Sequence, residues 1–156
     1  MKKIIYSILM VSTVMLSSCG NGPLTPEQEK HQLTEQITQL ETKLRAAQDE
    51  KIDAKDANEM LNLYEQFTTK CPNEENTPEM LFKAGEICMG IGNYGKSISY
   101  FERIRKDHQS FDKSPESLFI IGFIYDSYLN QKGKAKEVYE EVIKLYPEHK
   151  FAQDAA

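Results

Sequence analysis

The chain has 156 residues, enough for one domain and a leader, of which 40% are hydrophobic and 28% charged. Its formal net charge is −5 at pH 7, which argues against nucleic acid as a partner and against adhesion to anionic lipid through basic side chains. Three cysteines and three histidines leave little material for a metal or redox centre.

In chain order, the first feature is a leader. Lys2 and Lys3 form a short positive segment, and residues 4–16, IIYSILMVSTVML, carry no charge. The run is shorter than the ~20 apolar residues of a membrane-spanning helix, and its flanks are those of a secretory signal peptide. It closes on Leu16-Ser17-Ser18-Cys19, which resembles a bacterial lipobox. That resemblance implies a signal peptide over 1–18, cleavage before Cys19, and diacylglycerol on its thiol. A further fatty acyl group such as palmitate goes on the new amine, and residues 19–25 become a lipidated linker. Two or three acyl chains give a stable anchor where one does not. Removing Lys2 and Lys3 takes the net charge from −5 to −7, so the lipid, not a basic surface, is the expected membrane contact. Gly20 and Asn21 follow Cys19 in place of the aspartate tied to inner-membrane retention. The resemblance therefore implies the outer membrane, facing the periplasm.

From residue 24 onward no stretch reads as a strand, and the expected fold is all-α. The spacing predicts helices over about 26–51, 54–70, 78–90, 94–107, 115–129 and 134–146, with a short one from near Glu148. Thr25-Pro26-Glu27, Thr77-Pro78-Glu79 and Ser114-Pro115-Glu116 read as one start device used three times. A hydroxyl caps the helix, Pro takes the first position, and Glu faces the positive end of the dipole. Lys70-Cys71-Pro72 and Leu145-Tyr146-Pro147 read as stops, and Gly92 and Gly133 as interhelical turns.

The first helix, within a segment 26–52, carries Leu33, Ile37, Leu40, Leu44 and Ala47 at steps of four and three. This short heptad seam fits either a coiled coil joining subunits or a helix packed on its own domain. Farther on, Ala57, Met60, Leu61, Tyr64 and Phe67 mark one apolar face, Ile98, Phe101 and Ile104 another, and Val138, Tyr139, Val142 and Leu145 a third. Cys71 at a helix end and Cys88 about two turns into the next read as separate small thiols in preference to a disulfide.

Two stretches repeat. LFKAGEICMGIGNYGKSISYFERI and LFIIGFIYDSYLNQKGKAKEVYEEV both begin Leu-Phe, at 81 and 118, and carry Gly four residues later, at Gly85 and Gly122. Leu81, Gly85, Cys88, Ser97, Phe101 and Ile104 thus correspond to Leu118, Gly122, Tyr125, Ala135, Tyr139 and Val142, followed by Pro147. The pattern resembles the tetratricopeptide repeat. Gly85, Gly122, Ser97 and Ala135 are the small residues that let paired helices approach, and Phe101 and Tyr139 would fill the space between neighbouring units. The glycines are 37 residues apart where about 34 is typical. The surplus reads as a longer loop near 108–114 and an extra residue near 130–134. Leu44, Ala47, Met60, Tyr64, Phe67 and Pro72 form a degenerate first unit. The resemblance covers 41–149 and implies a right-handed superhelix of about three helical hairpins, closed by a capping segment at 150–156.

His31, His108 and His149 lie in separate segments, and no phosphate loop, nucleophile motif or metal-ligand spacing occurs. No cofactor and no catalytic residue is expected. In tetratricopeptide stacks the first helix of each unit lines a concave groove. The matching positions include Phe82, Glu86, Met89, Phe119, Phe123 and Asp126, with Glu79 and Glu116 beside them. They read as a peptide groove with apolar pockets and an acidic rim, suited to a basic and apolar segment. Phe82 and Phe119 fit packing between units equally well.

Taken together, the chain resembles bacterial tetratricopeptide lipoproteins. Two such families are the lipoprotein of the outer-membrane β-barrel assembly machinery and the Tol-Pal-associated protein with a coiled coil before its repeats. The resemblance implies a non-enzymatic, lipid-anchored envelope scaffold that binds a protein or peptide. An accessory subunit of an envelope enzyme complex, or an oligomer formed through the N-terminal helix with weak self-association, are the alternatives.

Overall fold

The computed structural model describes residues 23–46 and 53–156. The expected signal peptide over 1–18, Cys19 and the expected end of the first helix with Ala47 lie outside the described residues. The described residues form seven α-helices in order: α1 (Pro26–Ala46), α2 (Ala54–Lys70), α3 (Thr77–Gly90), α4 (Tyr94–Asp107), α5 (Ser114–Phe123), α6 (Lys132–Leu145) and α7 (Lys150–Asp154). A π-helical turn, Ile124–Tyr128, continues α5. No strand occurs among the described residues. The helices form antiparallel hairpins, α1/α2, α3/α4 and α5/α6, and each packs on the next along the chain. The architecture is the expected stack of helical hairpins. No described helix is long and apolar enough to cross a membrane.

Two glycines set the closeness of the hairpins. A Cβ built on Gly85 would lie 2.6 Å from Cζ of Phe101, and one on Gly122 would lie 2.6 Å from Cε1 of Tyr139. The rings of Phe101 and Tyr139 therefore lie against the glycine of their own hairpin. This corrects the expectation that they fill the space between units: the small residue and the ring are partners across one hairpin. Ser97 is fully buried, and its hydroxyl donates to the Gly85 carbonyl at 2.8 Å. Ala135, at the corresponding place on α6, is buried without a hydroxyl.

The connections repeat as closely as the helices. The N–H groups of Cys71, His108 and Tyr146 donate to the carbonyls of Phe67, Ile104 and Val142. Three residues later Glu74, Phe111 and His149 donate back to Cys71, His108 and Tyr146, and three later still Thr77, Ser114 and Ala152 donate to Glu74, Phe111 and His149. The same fold of chain thus occurs three times, which makes α7 the first turn of a further unit. Thr77 and Ser114 are buried first residues of α3 and α5, and their hydroxyls donate backward to the carbonyls of Cys71 and His108. They are latches on the preceding loop, not N-caps. Thr25 alone is a cap of the expected kind: Gln28 N–H donates to its hydroxyl while its own N–H donates to the Gln28 side chain.

The third hairpin differs by one residue. Cys71 to His108 is 37 residues, and His108 to Tyr146 is 38. The extra residue sits in the π turn, where Leu129 N–H bonds Ile124 carbonyl and Gln131 N–H bonds Tyr125 carbonyl. It is therefore absorbed at 124–128, ahead of the expected 130–134. Gly92 takes the left-handed turn of the second unit, with φ 79°. In the third unit Asn130 takes it, with φ 51°, and Gly133 lies inside α6. Asn tolerates this backbone better than other non-glycine residues because its short side chain bonds locally.

Leu33, Ile37 and Leu40 are buried and Leu44 partly so, all in the same core as Met60, Tyr64 and Phe67 of α2. The heptad seam is spent within the chain's own first hairpin. Cys71 is half-buried, Cys88 is buried, and both are free thiols.

Candidate interaction surface

The first helices of the three hairpins, α1, α3 and α5, share one side of the stack, and charged side chains bridge them. Glu41 of α1 accepts hydrogen bonds from Lys83 of α3 at 2.8 Å and from the Tyr64 hydroxyl at 2.6 Å. Burial works to raise the Glu41 pKa, but the bonds from Lys83 and Tyr64 outweigh it and hold the carboxyl below its ordinary value. The Tyr64 hydroxyl is pushed up by burial and by the adjacent Glu41 carboxylate. Lys113, at the entry to α5, binds both Glu79 oxygens at 2.9 Å and stands 4.8 Å from the centre of the Phe82 ring.

Beyond these pairs the face turns acidic. Glu86 is exposed, and Glu116, which corresponds in register to Glu79, is half-buried in the first turn of α5. Neither has an ion-pair partner among the described residues. Desolvation against the neighbouring helices raises the Glu86 pKa; Lys113 opposes this, and the carboxylates Glu116 and Glu79 add to it. Glu86 thus carries a charge with no ion-pair partner, offset only in part by Lys113 and Lys83, and a cation from outside would be favoured there.

Toward the far end of the same helices the surface becomes aromatic. Phe123 is 37% exposed and Tyr128 47%. Their rings meet edge to face at 5.6 Å, and Tyr128 stacks on Tyr94 at 4.5 Å. Ile91, in the turn just before Tyr94, is 47% exposed.

The residues expected to line a groove separate into three groups. Glu86 and Phe123 occupy corresponding places on α3 and α5, one polar and one apolar, and both reach solvent. Phe82 is buried, edge to face with Phe101 at 5.5 Å and with Phe111 at 6.4 Å. It is a core residue, a correction whose cause is Phe111, a loop side chain that covers it. Met89 is half-buried against the core. Phe119 is half-buried, stacked on Phe151 at 5.0 Å and tilted on Tyr139 at 5.4 Å. Asp126 pairs with Lys132 and shares a depression with Tyr139 and Ala155, so it belongs to the α7 end of the stack and not beside Glu86. Sequence reasoning missed Glu41, Lys83, Tyr94 and Tyr128. Lys83 could have been found, because it precedes Gly85 on the exposed side of its helix; Tyr128 could not, because the π turn moves it off the helical period.

No cluster of three or more metal-ligating side chains occurs among the described residues. Two family models of the tetratricopeptide repeat match the chain, one over residues 78–104, which span α3 and most of α4, and one over 116–149, which span α5, the π turn and α6. The chain therefore contains tetratricopeptide repeats, a module that serves protein–protein interaction. No curated protein matches it.

Proposed function

We propose that this chain is a lipid-anchored, non-enzymatic scaffold of the bacterial cell envelope, which holds a segment of a partner protein against the side formed by α1, α3 and α5. The observation that carries the reading is Glu86, exposed and without an ion-pair partner among the described residues, near Glu79 and Glu116 and in register with the exposed Phe123. A surface of this kind favours a partner with Lys or Arg beside apolar side chains, and disfavours acidic ones. The anchor rests on the leader: Lys2 and Lys3, the uncharged run 4–16 and the small residues before Cys19. Acylation there would tether the stack at the outer membrane, facing the periplasm, with 19–25 as its lipidated linker.

Two measurements test the two halves. The wild-type chain expressed in a bacterium should incorporate a fatty-acid probe, and Cys19→Ser should not; a wild-type protein that stays unlabelled removes the anchor. A photo-crosslinking amino acid at position 91, exposed in the turn that follows the helix of Glu86, should capture a specific partner in intact cells, while the same group at position 143 on α6 should not. Equal capture at both positions removes the interaction face.

A further inference from the structure

The residue inserted in the third hairpin builds a surface that the second hairpin lacks. In the second unit the first helix closes through Gly90, Ile91 and Gly92 into α4. In the third, the π turn carries the chain one residue farther and lays Tyr128 over Tyr94, the first residue of α4, at 4.5 Å and 18° between ring planes. Phe123 closes the corner edge to face. Of the six large apolar side chains that stand exposed among the described residues, Ile91, Phe123 and Tyr128 lie at this corner. Single exposed apolar residues carry no message, but a contiguous aromatic group does. Single π turns inside helices are also frequent at functional sites.

Charge selects what covers the shelf. Glu86 and Phe123 occupy corresponding places on α3 and α5, so an extended segment laid across these two helices can face both only with side chains on the same side, and adjacent residues point to opposite sides. Side chains two apart on one side of an extended segment are separated by about 6.6 Å. A second copy of this chain would bring its own Glu86 and a net charge of −5 to the same place, so self-association through this corner is opposed. We propose that the Tyr94–Tyr128–Phe123 shelf seats a large apolar side chain of an extended segment from another protein, and that a Lys or Arg two residues away in that segment binds Glu86. The proposal rests on the scaffold reading above and narrows it to a spacing and a place.

The test uses the full-length protein in detergent and fluorescein-labelled ten-residue peptides of Gly and Ser carrying Phe and Arg, read by anisotropy. A peptide with Phe and Arg two apart should bind saturably. The same peptide with Glu for Arg, or with Phe and Arg adjacent, should bind at least tenfold more weakly. Tyr128→Ala and Glu86→Gln should each weaken the first peptide at least tenfold, and Ile143→Ala should leave it unchanged. Phe123→Ala, at an exposed position, serves if Tyr128→Ala alters the far-ultraviolet circular dichroism. Peptides that bind alike whatever their charge or spacing, or variants that bind as wild type does, overturn the proposal. So does sedimentation showing a dimer that Tyr128→Ala dissociates. Partner crosslinking from position 91 that persists in Tyr128→Ala would remove the shelf and leave the scaffold reading standing; its absence in the otherwise wild-type chain would remove both.

Discussion

At Gly85 and Gly122 the same missing methyl group meets two different neighbours. Phe101 over Gly85 is fully buried and has no room to retreat, whereas Tyr139 over Gly122 is half-buried. Replacing Gly by Ala gains about 1 kcal/mol of helix propensity, against overpacking of about 1–3 kcal/mol. Gly85→Ala should therefore lower stability in a urea melt, Gly122→Ala should stay near wild type, and Gly122→Leu should be severely destabilised. A Gly85→Ala protein that melts as wild type does would mean that Phe101 is free to move. These positions were legible because a small residue at fixed distance from an aromatic one recurs. Phe82 stayed open between groove and packing for an equally physical reason: only the long-range fold of the 108–113 loop, which brings Phe111 over it, decides for packing. Glu86 yields a pH prediction. Its pKa is raised on folding, by burial first and by its acidic neighbours, so the folded state binds its proton more tightly than the unfolded chain does. Ionisation then costs stability as pH rises through that range. Glu86→Gln should raise the melting temperature at pH 7, and the gain should vanish below the ordinary carboxylate pKa of 4.5. A gain that is the same at both pH values would assign it to something other than charge.

Over the described residues the helix bounds were legible to within about two positions, because start residues, stops and apolar period agree. The connections were not. Thr77 and Ser114 read as caps from their place before Pro, yet their hydroxyls serve carbonyls six residues earlier, and no local rule separates those uses. The π turn was visible only as one surplus residue, assigned a few positions late, since an insertion can be absorbed anywhere between two fixed contacts. Those contacts are Gly122 with Tyr139 on one side of the turn, and the Asn130 left-handed residue leading into α6 on the other. Deleting Ser127, which is exposed, brings Gly122 to Ala135 into the spacing that Gly85 and Ser97 already have. The shortened protein should keep its helical circular dichroism and melt within a few degrees of wild type, because α-helical bonds replace poorer π-helical ones. Loss of folding on deletion would mean that the Tyr94–Tyr128 stack, and not the repeat register, holds the third hairpin.

Across the whole molecule, each hairpin touches its neighbours and little else, so stability should approximate a sum of units and interfaces. Ion pairs strengthen the joints on both sides: Lys83 with Glu41 and Lys96 with Glu65 between the first and second hairpins, Lys113 with Glu79 and Arg105 with Glu141 between the second and third. The two ends are closed differently. At the first, α1 buries Leu33, Ile37 and Leu40 over most of its length. At the second, five residues of α7 do the work of a full helix, and Phe151 supplies its aromatic cover by stacking on Phe119 at 5.0 Å. Phe151 is half-buried, so Phe151→Ala should cost less than the ~3–5 kcal/mol of a core phenylalanine. In a stack of nearest neighbours that cost should also be local. Hydrogen exchange in Phe151→Ala should quicken through α5 and α6, less in α3 and α4, and hardly at all in α1 and α2. If protection falls equally in all six helices, the three hairpins open as one unit, and the ion pairs and shared core couple them more tightly than neighbour contacts alone require.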